Sequence, residues 1–310
     1  MSPSKTILIA DDSPQWFLDK LLEAGHTLIY EPELTNEQMH ATLNNYQVVL
    51  IKSALILNRS FFENHSELKL ILRPGSGLDN IDKTAALEFG VEIINTPEGN
   101  CNAVGEHVVG LLLNMANHIP KAIHEVRNSK WIREENRGFE LEGKTIGIIG
   151  VGNTGTAVYK KLEGFDMIRL PHDKYKPWIE TIKQNSASLN ELFERAEVVT
   201  LHLPLNHETR HYASSQFFSL FKKPIHFINA SRGGVLDENA LLHALETGKV
   251  LSAALDVLEF EPPSIYQTKG LETFYKLVNH PKIIITPHIA GWTHEAKFKM
   301  FDGLLKKWWK

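Results

Sequence analysis

The feature that most constrains the fold is an alternation of short β-branched runs with stretches of helical periodicity. TILIA (6–10), QVVLI (47–51), KLILR (69–73) and VEII (91–94) read as strands. PQWFLDKLLEAG (14–25), LTNEQMHATLNN (34–45) and DKTAALEFG (82–90) read as helices, the last stopped by Gly90. A long apolar helix is predicted over 103–119, followed by a polar helical stretch to about residue 135. A second alternating series then starts at KTIGIIG (144–150), with strands expected at 146–149, 167–170, 197–201, 226–229, 251–257 and 282–286. Strands that are apolar on both faces, separated by helices, belong in parallel sheets covered on both sides. Two such series predict two doubly wound α/β domains. No Pro/Gly/Ser-rich linker marks their boundary, so the pattern places it. Residues 1–99 with 287–310 form one domain, and 100–286 the other. The segment 293–310 reads as one amphipathic helix returning to the first domain. Its KKWWK end is read as cations at the negative end of the helix dipole, in preference to a basic-aromatic binding patch.

Composition narrows the function. The 310-residue chain is 43% hydrophobic and 23% charged, which excludes disordered and fibrous classes. With 33 basic and 37 acidic residues its net charge is −4, so no global basic excess argues for nucleic acid. No run approaches the roughly 18 apolar residues of a membrane span. TILIA is too short for a signal-peptide core, and Asp11 and Asp12 follow it at once. Cys101, the single cysteine, cannot form an intramolecular disulfide, so nothing asks for an oxidising compartment. It is expected to pack as a small hydrophobe. The expectation is a soluble, cytoplasmic protein with no membrane or nucleic-acid partner. No His/Cys/carboxylate group has metal-ligand spacing, so no metal is expected.

The sharpest motif is Gly150-Val-Gly152-Asn153-Thr154-Gly155, a G-x-G-x-x-G after a strand and at the start of a helix. Gly150 permits the tight turn, Gly152 lets backbone approach a pyrophosphate, and Gly155 lets helix pack on strand. The helix N-terminus adds unpaired N–H groups and a positive dipole end. About twenty residues on, Asp173 is placed to hydrogen-bond the adenosine ribose of a dinucleotide. The plainer alternatives are a ligand-free glycine turn and a polar loop, HDKYK. Lys174 and Lys176 follow directly. Their long side chains are expected to turn to solvent, leaving Asp173 to set a preference for NAD over NADP.

These motifs resemble those of the D-isomer-specific 2-hydroxyacid dehydrogenase family, in combination and in order. RPGSGLDNID (73–82) resembles its substrate-carboxylate loop, GNCNAVGEHVVGLLL (99–113) its interdomain helix, and ELEGKTIGIIGVGNTG (140–155) its nucleotide loop. VVTLHLPLNHET (198–209), INASRGGVLDENAL (228–241), ALDVLEFEPP (254–263) and TPHIAGWT (286–293) complete the likeness, which spans about residues 48–295. The resemblance implies two Rossmann-like domains, a flavodoxin-like one and an NAD-binding one, with the active site in a cleft between them. It also implies a homodimer built mainly through the nucleotide domain. The implied activity is NAD-dependent interconversion of a D-2-hydroxy acid and its 2-keto acid. The likeness is to short D-3-phosphoglycerate-dehydrogenase-like members. A glyoxylate or hydroxypyruvate reductase, and a dinucleotide-sensing corepressor, are the alternatives. Ending at residue 310, the chain is expected to lack the regulatory domain of longer members and serine feedback with it.

The resemblance assigns the chemistry residue by residue. His288 matches the general acid/base, a role suited to a group that titrates near working pH. Glu261 matches the carboxylate that holds it, with Glu259 a nearby alternative. Arg232 matches the arginine whose planar fork binds the substrate carboxylate and polarises the keto oxygen. Ser76 and Gly77 match backbone donors to that carboxylate, whereas Asp79 and Asn80 are read as turn residues. Besides the glycine loop and Asp173, the implied cofactor contacts are His202, Pro204, Ala230, Arg232 and Asp256, the last at the nicotinamide carboxamide. Lys52 and Arg73 are candidates to meet a substrate phosphate, or plain strand-end cations. Two departures stand out. Asp166 replaces the glycine of Phe-Gly-Met, and Pro171-His172 precedes Asp173, where proline is expected to interrupt strand pairing.

Overall fold

The computed structural model describes residues 4–41, 46–261 and 270–309. The end of the helix expected over 34–45, the last two residues of the 254–263 motif and Lys310 lie outside them. The strands are β1 (Thr6–Ala10), β2 (Thr27–Tyr30), β3 (Val48–Ile51), β4 (Leu70–Arg73), β5 (Glu92–Asn95), β6 (Thr145–Ile149) and β7 (Ile168–His172). Then come β8 (Trp178–Ile179), β9 (Gln184–Asn185), β10 (Val198–Leu201), β11 (Ile225–Asn229), β12 (Val250–Leu255) and β13 (Ile283–Ile285). The helices are α1 (Gln15–Glu23), α2 (Asn36–Ala41), α3 (Arg59–Asn64), α4 (Lys83–Glu88), α5 (Cys101–Ala116) and α6 (Ile119–Arg127). They continue with α7 (Asn153–Lys161), α8 (Leu189–Arg195), α9 (Ser215–Leu220), α10 (Glu238–Glu246), α11 (Leu271–Val278) and α12 (His294–Trp308). The chain divides into two compact units, Met1–Asn100 with Thr293–Lys310, and Cys101–Trp292. The return to the first unit therefore comes at Thr293, not at 287 as the sequence pattern placed it. The TPHIAGW segment stays with the second unit because its loop is bonded to β12, as described below.

The first unit is a parallel sheet in the order β2-β1-β3-β4-β5. Successive strand residues point to opposite faces, and both faces are covered. Leu8 packs with Val49, Ile71 and Phe61 on one side, while Ile7 and Ile9 meet Phe17, Leu21 and Phe301 on the other. Phe301, Leu304 and Leu305 are the buried stripe of α12, whose N-terminus is capped by Thr293 accepting from Ala296 N–H. Each such fully buried side chain contributes roughly 1.5–3 kcal/mol.

The second unit carries a parallel sheet in the order β13-β12-β11-β10-β6-β7. One face packs on α5 and α7 through Val108, Leu112, Val158 and Ile148, and the other through Phe217, Phe221, Leu241 and Phe227. The expected interruption at Pro171 does not occur. β7 runs through it, with Pro171 in register with Ile148. β7 is an edge strand, so the missing N–H faces away from the ladder, and the Pro171 carbonyl accepts Ala187 N–H at 2.7 Å. Asp166 takes φ +51°, the left-handed conformation that an Asp side chain tolerates better than most.

Candidate active site

The glycine loop joins β6 to α7. Gly150 has φ +89°, and a Cβ there would lie 2.5 Å from the His202 carbonyl oxygen. A Cβ at Gly155 would collide with the Gly150 carbonyl oxygen, so strand and helix touch through these two positions. At Gly152 a Cβ would meet nothing within 4 Å, and the residue caps α7 without a side chain. Asn153 and Thr154 open the helix above this space. A tight turn, an open approach and a first helical turn uncapped by any side chain fit a dinucleotide pyrophosphate.

Asp173 follows β7 and is tied to the same loop. Its carboxylate accepts Val151 N–H at 3.0 Å and Tyr175 N–H at 3.1 Å, and its own N–H donates to Ser186 Oγ at 2.9 Å. Both lysines are exposed, and each also has a partner. Lys176 Nζ donates to the Val151 carbonyl at 3.0 Å and stands 3.8 Å from Asp173 Oδ2. Lys174 Nζ donates to Glu208 Oε2 at 2.8 Å, an oxygen that also accepts the Tyr175 hydroxyl at 2.5 Å.

The remaining expected cofactor residues differ in what they present. Pro204 is exposed, its carbonyl accepting Thr209 Oγ1–H at 2.6 Å, and Ala230 is half-buried at the end of β11. His202 is buried, its ring Nε2 3.1 Å from Thr200 Oγ1. Burial pushes its pKa down to about 4, so the imidazole is neutral. Its side chain lies beneath the glycine loop and supports it. Asp256, at the end of β12, is 1% exposed. Its Oδ1 accepts Thr286 Oγ1–H at 2.5 Å and Ile289 N–H at 2.9 Å, and its Oδ2 accepts Ala290 N–H at 2.8 Å. Burial alone would raise its pKa. Hydrogen bonds from His107, Thr286, Ala290 and Ile289 outweigh that and hold it below the usual carboxylate range. The carboxylate is thus largely occupied by the loop that bears His288.

The chemistry-bearing side chains meet in this unit. His288 Nδ1 donates to Glu261 Oε2 at 2.6 Å, and Glu261 Oε1 accepts Leu258 N–H at 2.7 Å. That bond fixes the proton on Nδ1, so Nε2 is the nitrogen left to exchange a proton. The Glu261 hydrogen bond raises the His288 pKa against the opposing effects of burial and the nearby Arg232 charge. His288 is half-exposed and sits at φ +55°. Glu259 is turned elsewhere, 2.7 Å from His211 Nε2 and 3.6 Å from Arg210 Nη1. Arg232 lies on the turn after β11, with Nη1 donating to the Ser231 carbonyl at 2.7 Å. Buried Asn229 knots that turn by accepting Ser231 N–H and Oγ–H and donating to the Arg232 carbonyl. A Cβ at Gly233 would collide with the Leu258 carbonyl oxygen, so the Glu261 loop rests directly on the Arg232 turn. Sequence reasoning missed Asn229, whose signal was its place in INASRGG.

In the first unit, Lys52 directly follows β3 and Arg73 ends β4. Lys52 Nζ donates to the Pro32 carbonyl at 2.6 Å, and Arg73 Nη1 to the Pro74 carbonyl at 2.7 Å. Asp11, at the end of β1, was not anticipated. Burial raises its pKa, while the charges of Arg73, Lys297 and Lys52 pull the other way. In the loop after β4, Gly75 has φ +149° and its N–H donates to Thr96 Oγ1 at 3.2 Å. Asn95 Nδ2 donates to the Ser76 carbonyl at 3.0 Å, and Gly77 follows half-buried. Asn80 ties the turn to the segment after β3 by donating to the Leu55 carbonyl at 2.6 Å. Among the described residues no group of three or more His, Cys, Asp or Glu is placed to hold a metal, and no helix is long and apolar enough to cross a membrane.

Residues 109–290 match the family model described as D-isomer specific 2-hydroxyacid dehydrogenase, NAD binding domain. The chain belongs to the D-isomer specific 2-hydroxyacid dehydrogenase family. Over 296 residues it is 34% identical to D-3-phosphoglycerate dehydrogenase of Bacillus subtilis, covering 95% of this chain and 54% of that one. The chain thus spans about half the length of such relatives. It is also 34% identical over 277 residues to hydroxypyruvate reductase of Thermotoga maritima, covering 89% of this chain and 88% of the relative. Among solved structures, a glyoxylate reductase from Paecilomyes thermophila superposes with a TM-score of 0.87 at 28% identity, over 98% of this chain and 94% of that one. The NAD-binding domain of the family is therefore the unit that bears the glycine loop, Asp173, Arg232, Glu261 and His288.

Proposed function

We propose that this protein is an NAD-dependent oxidoreductase that interconverts a D-2-hydroxy acid and its 2-keto acid. The observation that carries the proposal is the 2.6 Å bond from His288 Nδ1 to Glu261 in a unit that also presents Arg232 and a dinucleotide loop. NAD held by these residues would supply the hydride acceptor for C2 of the substrate. His288 Nε2 takes the hydroxyl proton in oxidation and returns it in reduction, while Glu261 stabilises the imidazolium. Arg232 holds the substrate carboxylate and polarises the C2 oxygen. The N–H groups of Ser76 and Gly77 supply further donors to the carboxylate. The glycine loop with Asn153 and Thr154 holds the pyrophosphate, and Asp173 the adenosine ribose. Pro204 and Ala230 border the cofactor, whereas Asp256, expected at the nicotinamide carboxamide, has its carboxylate committed to the loop that bears His288.

D-3-phosphoglycerate is the leading substrate, supported by the curated relatives of that name. Lys52 and Arg73 are the candidate phosphate contacts. A glyoxylate or hydroxypyruvate reductase is the second reading. It is favoured by the near full-length match to a hydroxypyruvate reductase and by the bonds that already occupy both cations. We place the protein in the cytoplasm on its lone cysteine, and as a homodimer on the exposed apolar face of α6. NADH oxidation with a panel of 2-keto acids, phosphorylated and not, tests the function. Turnover that falls roughly 10²–10⁴-fold in His288→Ala supports it. Tight NADH binding with no turnover of any keto acid would instead mark a dinucleotide sensor.

A further inference from the structure

His288 is held in a conformation that a non-glycine residue avoids. At φ +55° such a residue is strained and persists only where its surroundings over-determine it. Those surroundings are a chain of groups from three elements. His288 N–H donates to the Asp256 carbonyl at 2.8 Å and to the Thr286 carbonyl at 3.0 Å. The Asp256 carboxylate takes the next two N–H groups, of Ile289 and Ala290, and the Thr286 hydroxyl. Behind them stands His107, on α5, with Nε2 3.1 Å from Thr286 Oγ1 and 3.5 Å from Asp256 Oδ1. A hydroxyl has one proton to give. Thr286 gives it to Asp256, so it must accept from His107, which therefore carries a proton on Nε2. The relay runs His107 Nε2–H to Thr286 Oγ1–H to Asp256, and Asp256 grips the loop on both sides of the strained residue.

We propose that His107 and Thr286 are positioning residues for the reaction: through Asp256 they hold the His288 loop in its strained conformation and thereby keep Nδ1 on Glu261. None of the three need touch substrate for this to operate. The inference deepens the dehydrogenase reading and rests on it, so its test includes a measurement that needs no substrate.

The variant pairs are His107→Phe with His107→Gln, and Thr286→Val with Thr286→Ser. The first of each removes the polar group at similar size, and the second restores a donor or hydroxyl. Losing one part-buried hydrogen bond in a positioning chain is expected to lower kcat by about tenfold. KM for the keto acid and the NADH dissociation constant should stay within about twofold, because the binding groups remain. The Gln and Ser variants should recover most of the loss. In the cofactor-free protein, proton NMR should show a downfield resonance for the Nδ1 proton of His288 that vanishes in His288→Ala. It should weaken in His107→Phe and Thr286→Val and return in the conservative partners. If all four variants keep wild-type kcat and this resonance, the proposal is overturned. If the wild type turns over no keto acid, the dehydrogenase reading fails, and the resonance alone judges the clamp. Should His107→Phe not fold, the threonine pair decides.

Discussion

Glu261 shows how one carboxylate shapes the proton chemistry at the scale of a residue. Its hydrogen bond stabilises the charged imidazole, so the His288 pKa is raised above its ordinary value near 6.5. Reduction of a keto acid needs the protonated ring and should fade as pH rises through that raised pKa. Oxidation needs the neutral ring and should grow through the same range. Glu261→Gln removes the charge and keeps the shape. The imidazolium loses its partner, its pKa falls, and both transitions should move to lower pH. At neutral pH the variant should therefore lose reduction rate more than oxidation rate. Profiles of kcat/KM against pH in both directions check this, and profiles that do not move would mean that His288 is not the titrating group. On sequence Glu261 is preferred to Glu259 through the resemblance alone, since both stand in one acidic loop. Geometry separates them, because Glu259 is committed to His211 and Arg210.

Among elements, what the sequence made legible follows burial. Strands apolar on both faces, such as β3 and β10, announce themselves as unbroken β-branched runs. β2 does not, because as an edge strand its ends are exposed and its run is short. The β8–β9 hairpin of two-residue strands leaves no periodicity to read. The glycine loop was legible because its glycines keep a fixed spacing, two of them, Gly150 and Gly155, answering a steric demand of the chain itself. The clamp of His107, Thr286 and Asp256 was not, since it joins residues up to 179 positions apart that only the fold brings together. The loop after β7 carries the next prediction. With Lys176 3.8 Å from Asp173, the pocket holds a pair of opposite charges in place of a lone carboxylate. Asp173→Ala should weaken NAD by roughly 10–100-fold, the worth of a charged hydrogen bond, and leave Lys176 facing a 2′-phosphate. NADP use should then approach or exceed NAD use. Adding Lys176→Ala should abolish that gain, whereas Lys176→Ala alone should sharpen the preference for NAD. A double-mutant cycle on kcat/KM with both cofactors measures the coupling, and additive effects would show that the two side chains act separately.

For the whole molecule, the question is what covers the second unit's apolar surface. None of the residues of α6 is buried, and Ile119, Ile123 and Val126 share one of its faces at spacings of four and three. Trp131, 82% exposed, and Ile132 extend the patch beyond the helix. An amphipathic helix with no buried residue gains little apolar burial from its own unit, so further packing would stabilise it. A second copy offers the self-complementary patch that a two-fold dimer requires. A specific interface takes about 800 Å² from each partner, and α6 with the 128–140 segment is long enough to supply it. Ile123→Asp combined with Val126→Asp places two charges at the centre of that face, where an unpaired buried charge costs several kcal/mol. At micromolar concentration the wild type should sediment as a dimer and the double variant as a monomer. The wild-type melting temperature should rise with protein concentration, since association stabilises by mass action, and the variant's should not. A wild type that sediments as a monomer at tens of micromolar, with a melting temperature independent of concentration, would assign the α6 face to some other partner.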